Sequence, residues 1–308
     1  MSQWAWGYAV ATVGRAGTPL CYYFSDPQLG VPDGAGDAEP DVRDEYEDAI
    51  RGVIVRSRVR VTADLDAPPA DVADAYLRLH LLSHRLVRPN SVNLDGIFKV
   101  LPNVCWTSLG PVEVSEIGAV RERALGRGLY LDVRSVDKFP PMLDFVVPTG
   151  VRVADAARVR LGAHLAEGTT VMHEGFVNFN AGTLGPAMVE GRISQGVVVD
   201  ADSDIGGGAS IQGTLSGGGK EVISVGKRCL LGANSGLGIS LGDDCVIEAG
   251  LYVTGGTKVT TSDGQTVKAR ELSGANNLLF RRNSVSGAVE VVARDGSGIT
   301  LNEALHAN

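Results

Sequence analysis

A glutamate in the second half of the chain occupies a position from which its carboxylate could take part in a reaction. Glu190 follows the aliphatic residue Val189 and precedes Gly191 and Arg192. If Val189 points into a core, the alternation of side chains along a strand turns the Glu190 carboxylate outward. An outward carboxylate can act as a nucleophile or a general base; the alternative is a solvated surface glutamate. His173 is the rival base, because a neutral imidazole accepts a proton near pH 7.

Positive charge gathers towards the C-terminal end of the chain. The side chains concerned are Lys258, Lys268, Arg270, Arg281 and Arg282. Arginine forks and lysine ammonium groups both bind phosphates, so this segment is a candidate for holding a phosphate-bearing ligand. The alternative is that these charges only keep the surface soluble. The formal net charge of −8 argues against a general role on nucleic acids or membrane surfaces.

Three glycine-rich stretches look like nucleotide-binding loops but lack the required spacing. In the stretch 214–220, Thr214 stands in place of the first glycine of a phosphate loop, and Glu221 replaces the hydroxyl residue that meets magnesium. The stretch 232–238 neither follows a long strand nor opens a helix, and 206–208 reads as a turn. We therefore do not expect nucleotide hydrolysis.

The element that must position these residues is a six-residue repeat of aliphatic side chains, with several restarts. Its positions are Val153, Val159, Leu165, Val171, Val177, Thr183, Val189, Ile193, Val199, Ile205, Ile211, Val225, Leu231, Leu237, Leu241, Ile247, Val253 and Val259. Each unit predicts a short strand and a turn, with the aliphatic residue and a small residue four places later both pointing inward. The period predicts a β-helical solenoid, from which residues 212–222 leave as a loop.

Glycine and cysteine usage agree with this interpretation. The chain of 308 residues contains 40 glycines, well above the usual ~7%. Cys229 and Cys245 fall on the small-residue position of their units, so we expect both to be buried packing residues. Cys21 and Cys105 lie far from them, and the four cysteines show no metal-site spacing.

The rest of the chain has an α/β pattern. We expect strands at 3–13, 20–24, 52–62 and 288–293, helices at 68–87 and 116–127, an exposed acidic loop leading into a polar helical turn over 26–48, and an extended stretch over 129–147. His80 and His84 lie four apart on the first helix. Packed or solvated histidines are favoured there over a metal site, because no third ligand is evident.

These patterns divide the chain into three parts. We expect an N-terminal α/β domain over 1–150, the solenoid over 151–260 and a short C-terminal β extension over 261–308. The first residues lack the basic and apolar regions of a signal peptide, and no apolar run reaches membrane-spanning length. A cytoplasmic location is therefore expected.

Several motifs together carry a family resemblance. They are Leu77–His84 (LRLHLLSH), Val136–Pro140 (VDKFP), Val146–Arg152 (VVPTGVR), Met172–Asn178 (MHEGFVN), Met188–Ser194 (MVEGRIS) and Phe280–Ser284 (FRRNS). With the hexapeptide repeat they resemble the tetrahydrodipicolinate N-succinyltransferases, most closely the actinobacterial branch. The resemblance implies a left-handed parallel β-helix, with about six triangular coils between residues 153 and 260, and a cytoplasmic homotrimer. It also implies succinyl transfer from succinyl-CoA to the amino group of the ring-opened cyclic imine, in the diaminopimelate route to lysine.

The same resemblance assigns roles to individual residues. Glu190 is implied as the catalytic carboxylate, as a nucleophile or as a general base. Glu174 is implied as a magnesium ligand on the trimer axis, whereas Ala157 replaces the acid of a second axial site. Arg152, Asn178 and Asn180 are weaker candidates for the dicarboxylate acceptor. The implied succinyl-CoA contacts are Arg192, Gly207, Ser210, Ala233, Glu248, Ala249, Gly256, Lys268, Arg281, Arg282, Asn283 and Ser284.

Two other functions remain open at this stage. A related acyltransferase would keep the CoA site and use an acetyl donor or another amine or sugar acceptor. A trimeric scaffold without catalysis belongs to a different class. A zinc enzyme of the same fold would need three histidines on adjacent coils, and only His164 and His173 lie in the solenoid.

Overall fold

The computed structural model describes residues 3–32, 44–215 and 221–294. The chain divides into two compact units. The first comprises Met1–Val87, Ser91–Pro140 and Asp144–Val146, and the second comprises Arg88–Asn90, Pro141–Leu143 and Val147–Asn308. The three-part division at 150 and 260 stays a prediction.

Among the described residues, the first unit contains two antiparallel sheets and three α-helices. Its elements are β1 (Trp4–Gly14), β2 (Pro19–Phe24), β3 (Gln28–Leu29), β4 (Asp44–Asp48), β5 (Val53–Asp64), α1 (Val72–Ser83), α2 (Ile97–Val100), β6 (Val104–Thr107), β7 (Gly110–Glu113), α3 (Ile117–Leu125) and β8 (Val133–Asp137). One sheet has the order β2-β1-β5-β4, with β3 also paired to β1, and the other has the order β7-β6-β8. The prediction of a loop and helical turn over 26–48 was wrong at its end, because β4 pairs with β5 there.

Helix α1 begins at Val72 and ends at Ser83, four residues inside each end of the predicted range 68–87, and it is held by a buried ion pair. The Asp71 carboxylate accepts a hydrogen bond from the Asp74 N–H and so caps the first turn. Arg78 is fully buried, and its Nε lies 2.6 Å from Asp74 Oδ1. The same guanidinium donates to backbone carbonyls of Leu65 and Ala67. The Leu77–His84 motif therefore fastens loops to the helix.

The two histidines of α1 are packing residues. His80 is fully buried, and its Nδ1–H donates to Tyr76 O at 2.8 Å while its Nε2 accepts from Phe24 N–H at 3.3 Å. Burial lowers the pKa of His80 to about 3, so the ring is neutral. The His84 ring stacks on it with centroids 6.1 Å apart. The preference for packed histidines is confirmed at His80.

The second unit is built from short parallel strands stacked in three sheets. Face one contains β9 (Arg152–Val153), β10 (Thr169–Val171), β13 (Ala187–Val189), β16 (Ser203–Ile205), β19 (Leu230–Leu231) and β21 (Val246–Ile247). Face two contains β11 (Phe176–Val177), β14 (Arg192–Ile193), β17 (Ser210–Ile211), β20 (Gly236–Gly238) and β22 (Tyr252–Thr254). Face three contains β12 (Gly182–Thr183), β15 (Val198–Val199) and β18 (Ser224–Val225). This is a three-faced parallel β-helix.

The repeat residues fill its interior. From Val159 to Val259 every predicted repeat position is buried, with at most 3% of its surface exposed, whereas Val153 at the first coil is half-buried. Residues paired across coils confirm the register, since Val171 lies beside Val189 and Val189 beside Ile205. Cys229 and Cys245 are fully buried, as expected.

The chain beyond the last coil closes one end of face one. Strand β25 (Leu278–Arg282) pairs with β21, and β26 (Val289–Ala293) pairs with β25. Strands β23 (Lys258–Thr260) and β24 (Thr266–Lys268) form a hairpin beside β26. The predicted excursion at 212–222 is described only in part, where Thr214 and Val222 form an antiparallel bridge.

Candidate active site

Glu190 lies at the corner between faces one and two, directly after β13. Its coil passes from the buried Val189 to the buried Ile193 in four residues instead of six. The N–H groups of Glu190 and Gly191 both donate to Ile205 O, at 2.8 and 2.9 Å, which draws this short corner onto the next coil. Glu190 is half-buried. The carboxylate makes no ion pair or hydrogen bond with any residue that the structure describes.

The carboxylate lies over Gly207 of the next coil. A Cβ built on Gly207 would lie 3.5 Å from Glu190 Oε2. Ala233 and Ala249 occupy the same corner on the following coils, since Asn234 N–H donates to Gly207 O and Gly250 N–H donates to Ala233 O, both at 2.8 Å. We call Gly207, Ala233 and Ala249 the small-residue strip. With coils ~4.8 Å apart, it runs about 14 Å from Glu190.

A second outward row borders the strip on face two. Phe176, Arg192, Ser210, Gly236 and Tyr252 are Cα partners on successive coils. The Arg192 Nε lies 3.4 Å from Ser210 Oγ, and the Arg192 side chain is otherwise exposed. The structure thus brings five predicted CoA contacts close to Glu190 or along one line from it: Arg192, Ser210, Gly207, Ala233 and Ala249.

The corner one coil earlier differs from the Glu190 corner. His173 and Glu174 are exposed there. The Arg158 Nη2 donates to Glu174 Oε2 at 3.3 Å, although 71% of the Glu174 side chain is exposed. Within the described ranges, no group of three or more His, Cys, Asp or Glu side chains could hold a metal ion. The residues of one chain therefore do not fit a magnesium ion.

The arginines of the C-terminal strands already have protein partners. Arg281 Nε donates to Glu290 Oε2 at 3.1 Å, and Asn283 Nδ2 donates to Glu290 Oε1 at 2.7 Å. The bonds from Asn283 and Arg281 hold the pKa of Glu290 below its usual value. Arg282 Nη1 donates to a backbone carbonyl, and its N–H donates to Glu248 Oε2 at 2.6 Å. Glu248 thus fastens β25 to the corner of the strip.

The remaining predicted contacts are exposed near the hairpin. Lys258 and Lys268 are directly opposed Cα partners on β23 and β24, and both are exposed. Like charges in this position repel each other, which an anion would relieve. Gly256 and Ser284 are also exposed. Arg270 Nε donates to a backbone carbonyl, that of Gly255, at 3.1 Å.

The candidates for the acceptor are not equally available. Asn180 and Asn90 are joined by two hydrogen bonds, Asn90 N–H to Asn180 Oδ1 at 2.7 Å and Asn180 Nδ2 to Asn90 Oδ1 at 3.0 Å. Asn178 Oδ1 accepts from Arg160 Nη1 at 3.2 Å. Arg152 is exposed on β9. The geometry leaves Arg152 more accessible than Asn180, which is only 9% exposed.

Sequence reasoning overlooked two residues of this surface. Glu290 organises Arg281 and Asn283 from a neighbouring strand, and a lone acid among apolar residues of β26 was its only signal. Tyr252 stands on face two only three residues after Ala249, where an aromatic residue at an outward position of the repeat could have drawn attention. Its exposed fraction is 55%.

An outward carboxylate beside a strip of small residues on a parallel β-helix defines a hexapeptide-repeat acyltransferase. The comparisons with known proteins agree. The family model "Hexapeptide repeat of succinyl-transferase" matches residues 222–255, and "Tetrahydrodipicolinate N-succinyltransferase middle" matches residues 101–140.

Whole-chain relatives narrow the class to one family. The 2,3,4,5-tetrahydropyridine-2,6-dicarboxylate N-succinyltransferase of Pseudomonas aeruginosa is 58% identical over 273 residues, which cover 86% of this chain and 79% of the relative. The enzyme of the same name from Pseudomonas putida is 59% identical over 248 residues, covering 79% and 72%. The chain therefore belongs to the tetrahydrodipicolinate N-succinyltransferases. Its assignment to the actinobacterial branch stays a prediction.

A solved structure supports the same conclusion. A crystal structure from Campylobacter jejuni, described as a 2,3,4,5-tetrahydropyridine-2-carboxylate N-succinyltransferase, matches with a TM-score of 0.79 and 34% identity, covering 94% of this chain and 92% of that one. Across the residues described, no helix is long and apolar enough to cross a membrane.

Proposed function

We propose that the protein transfers succinyl from succinyl-CoA to the amino group of ring-opened tetrahydrodipicolinate, giving N-succinyl-2-amino-6-oxopimelate and CoA in the diaminopimelate route to lysine. The observation that carries the proposal is the Glu190 carboxylate, which has no partner among the described residues and leans over the bare backbone of Gly207. Membership of the succinyltransferase family supplies the donor and acceptor.

In the proposed reaction, the acceptor nitrogen attacks the thioester carbonyl carbon. A C–N bond forms, the C–S bond breaks, and CoA leaves as its thiol after taking up a proton. As a general base, the Glu190 carboxylate removes a proton from the amine, which must be uncharged to attack. In the alternative route, a Glu190 oxygen attacks first, and the resulting acyl anhydride then passes succinyl to the amine. Both routes need the same outward carboxylate.

The strip and the C-terminal cations would bind succinyl-CoA. Gly207, Ala233 and Ala249 leave room for the pantetheine arm to lie along the corner, and they run for about 14 Å from Glu190 towards the hairpin. Lys268, Arg281 and Arg282 would receive the phosphates, together with backbone and side-chain groups of the neighbouring contacts. Glu248, Gly256, Asn283 and Ser284 belong to this end of the site. Arg192 and Ser210 lie near the thioester end.

The proposal includes a homotrimer of left-handed β-helices with an active site between neighbouring subunits. Glu190 projects from one corner, so a single chain covers only one side of two substrates. A magnesium ion held by three copies of Glu174 remains a prediction and enters no step of the reaction. We also propose a cytoplasmic location. A stable and active monomer in sedimentation would contradict the assembly.

A thiol-release assay tests the function. We expect release of CoA thiol from succinyl-CoA only when the cyclic imine is present, with the N-succinyl product identified by mass spectrometry. Acetyl-CoA serves as the matched donor, and we expect it to react more slowly. The proposed acceptor would be contradicted if thiol were released at the same rate without the imine. It would also be contradicted if a sugar amine supported the same rate as the imine.

A further inference from the structure

Tyr252 is the outward aromatic side chain closest in sequence to the small-residue strip. Its neighbour Val253 is fully buried, so Tyr252 points away from the interior, and 55% of its surface is exposed. It follows Ala249, the last residue of the strip, by three positions. An exposed tyrosine at this place is expected to lie free over solvent or to fold onto the β-helix.

The ring folds back onto the preceding coil. Gly236 is the Cα partner of Tyr252 across the two coils. A Cβ built on Gly236 would overlap the Cδ1 and Cε1 atoms of the Tyr252 ring. The ring therefore occupies the space that a side chain at position 236 would take. The backbone conformation of Gly236 is not of the positive-φ kind, so this glycine is required for space alone.

The folded ring lies beside the middle of the strip. Gly236 follows Ala233 by three residues on the same coil, and its partner on the coil below is Ser210. Ser210 in turn is bonded to Arg192, which closes the row next to Glu190. A chain of atoms running along Gly207, Ala233 and Ala249 would thus pass beside the row of outward positions onto which the aromatic ring is folded.

We propose that Tyr252, folded onto Gly236, is a binding residue for the pantetheine arm of the acyl donor. This inference rests on the proposed function, since it deepens the same site. The pantetheine arm consists of methylene and amide groups, which pack well against an aromatic face and lose water on doing so. The hydroxyl group is not needed for this contact.

Coenzyme A binding, measured by calorimetry on the full chain, tests the proposal with four variants. Tyr252→Ala should raise the Kd about tenfold, the loss expected when part of an apolar contact is removed. Tyr252→Phe should stay within about twofold, because it keeps the ring. Gly236→Ala should weaken binding by displacing the ring. Gly236→Ala combined with Tyr252→Ala should bind no worse than Tyr252→Ala alone, because the displaced ring is gone.

Two readouts separate this role from a structural one. KM for succinyl-CoA should rise in Tyr252→Ala while kcat changes little, and sedimentation should show the same particle size as wild type. If the wild type binds coenzyme A and Tyr252→Ala binds it with the same Kd, this inference is overturned, while the proposed function is not. Failure of the wild-type protein to bind coenzyme A would overturn the proposed function itself.

Discussion

Helix α1 and the corner after β13 both carry titratable side chains that invite a chemical role. On α1, both ring nitrogens of His80 are hydrogen-bonded, the ring is fully buried, and its pKa is lowered to about 3. At the corner, Glu190 is half-exposed and has no partner among the residues described, and the next coil presents Gly207 to it. Hydrogen bonds to the backbone hold both regions in place, but only the corner leaves its reactive atoms accessible to a substrate.

The difference between the two regions separates a structural polar group from a reactive one. A buried polar side chain that has all its hydrogen bonds stabilises the fold and resists a change of charge. A carboxylate that faces open space can meet a substrate. We therefore expect substitutions of Glu190 to lower activity and substitutions of His80 to lower stability.

The largest expected effect is on turnover. Glu190→Ala should remove most of kcat, because the reacting carboxylate is lost, and should leave unfolding nearly unchanged, because the side chain lies outside the interior. Steady-state kinetics and a denaturant titration check the two halves. An inactive variant that is also strongly destabilised would show that Glu190 belongs with His80 as a structural group.

A smaller effect is expected at the far end of the site. Replacing Arg281 and Arg282 together by Ala should raise KM for succinyl-CoA roughly 10- to 100-fold and change the acceptor KM little, the range that corresponds to the loss of one charge-assisted contact worth about 1.5–3 kcal/mol. Replacing the exposed Arg121 and Arg127 of the first unit removes the same charge and serves as the control. Equal kinetics in both double variants would make Arg281 and Arg282 solubilising residues.

The buried His80 of α1 should make the stability of the first unit depend on pH. The pKa of His80 is about 3 in the folded protein and near 6.5 when unfolded, so the unfolded chain binds the extra proton first as pH falls. Stability of the first unit should decline between pH 6.5 and 3, by up to ~1.4 kcal/mol per pH unit from this group. All three tryptophans, Trp4, Trp6 and Trp106, lie in this unit and report its unfolding by fluorescence.

His80→Gln should lower the stability at pH 7 but flatten this decline. His173→Gln, an exposed histidine of the β-helix, is the matched control and should leave the slope as it is in the wild type. A wild-type slope in His80→Gln would mean that other groups of the first unit cause the acid sensitivity.

The smallest effect is expected at the neighbouring corner. Glu174 is paired with Arg158 at 3.3 Å and is mostly exposed, and exposed ion pairs contribute about 0–1 kcal/mol. Glu174→Gln should keep kcat within about twofold of wild type, with or without a chelator. A smaller particle in sedimentation after this substitution would instead show that the carboxylate supports assembly, as an axial magnesium site requires.

Much of the β-helix was predictable, because its interior obeys a local rule. The side chain at each repeat position must fill a narrow core, and a poorly fitting one would leave a defect there. The six-residue repeat from Val159 to Val259 therefore shows directly which residues are buried. The same rule placed Cys229 and Cys245 inside. Glu190 stood out because it follows an inward residue at a point where the six-residue repeat is shortened to four residues.

The parts that could not be predicted depend on distant partners. Strand β4 is acidic and has little strand propensity, and it forms because β5 offers an edge, with Glu45 bonded to Arg56. The partner of Arg281 is Glu290, nine residues away on a different strand. The Tyr252 ring lies on Gly236 only because sixteen residues complete one coil. None of these contacts has a local sequence signature.

The central claim is that Glu190 performs the chemistry, and kcat of Glu190→Gln tests it most directly. Glutamine keeps the shape of the side chain but cannot act as a base or a nucleophile. The account predicts a loss of about 10²–10⁴-fold if general-base catalysis is the whole role. A larger loss, with a succinyl adduct trapped on Glu190 in the wild type, would select the anhydride route. A kcat near that of wild type would contradict the account and make His173 the next residue to replace.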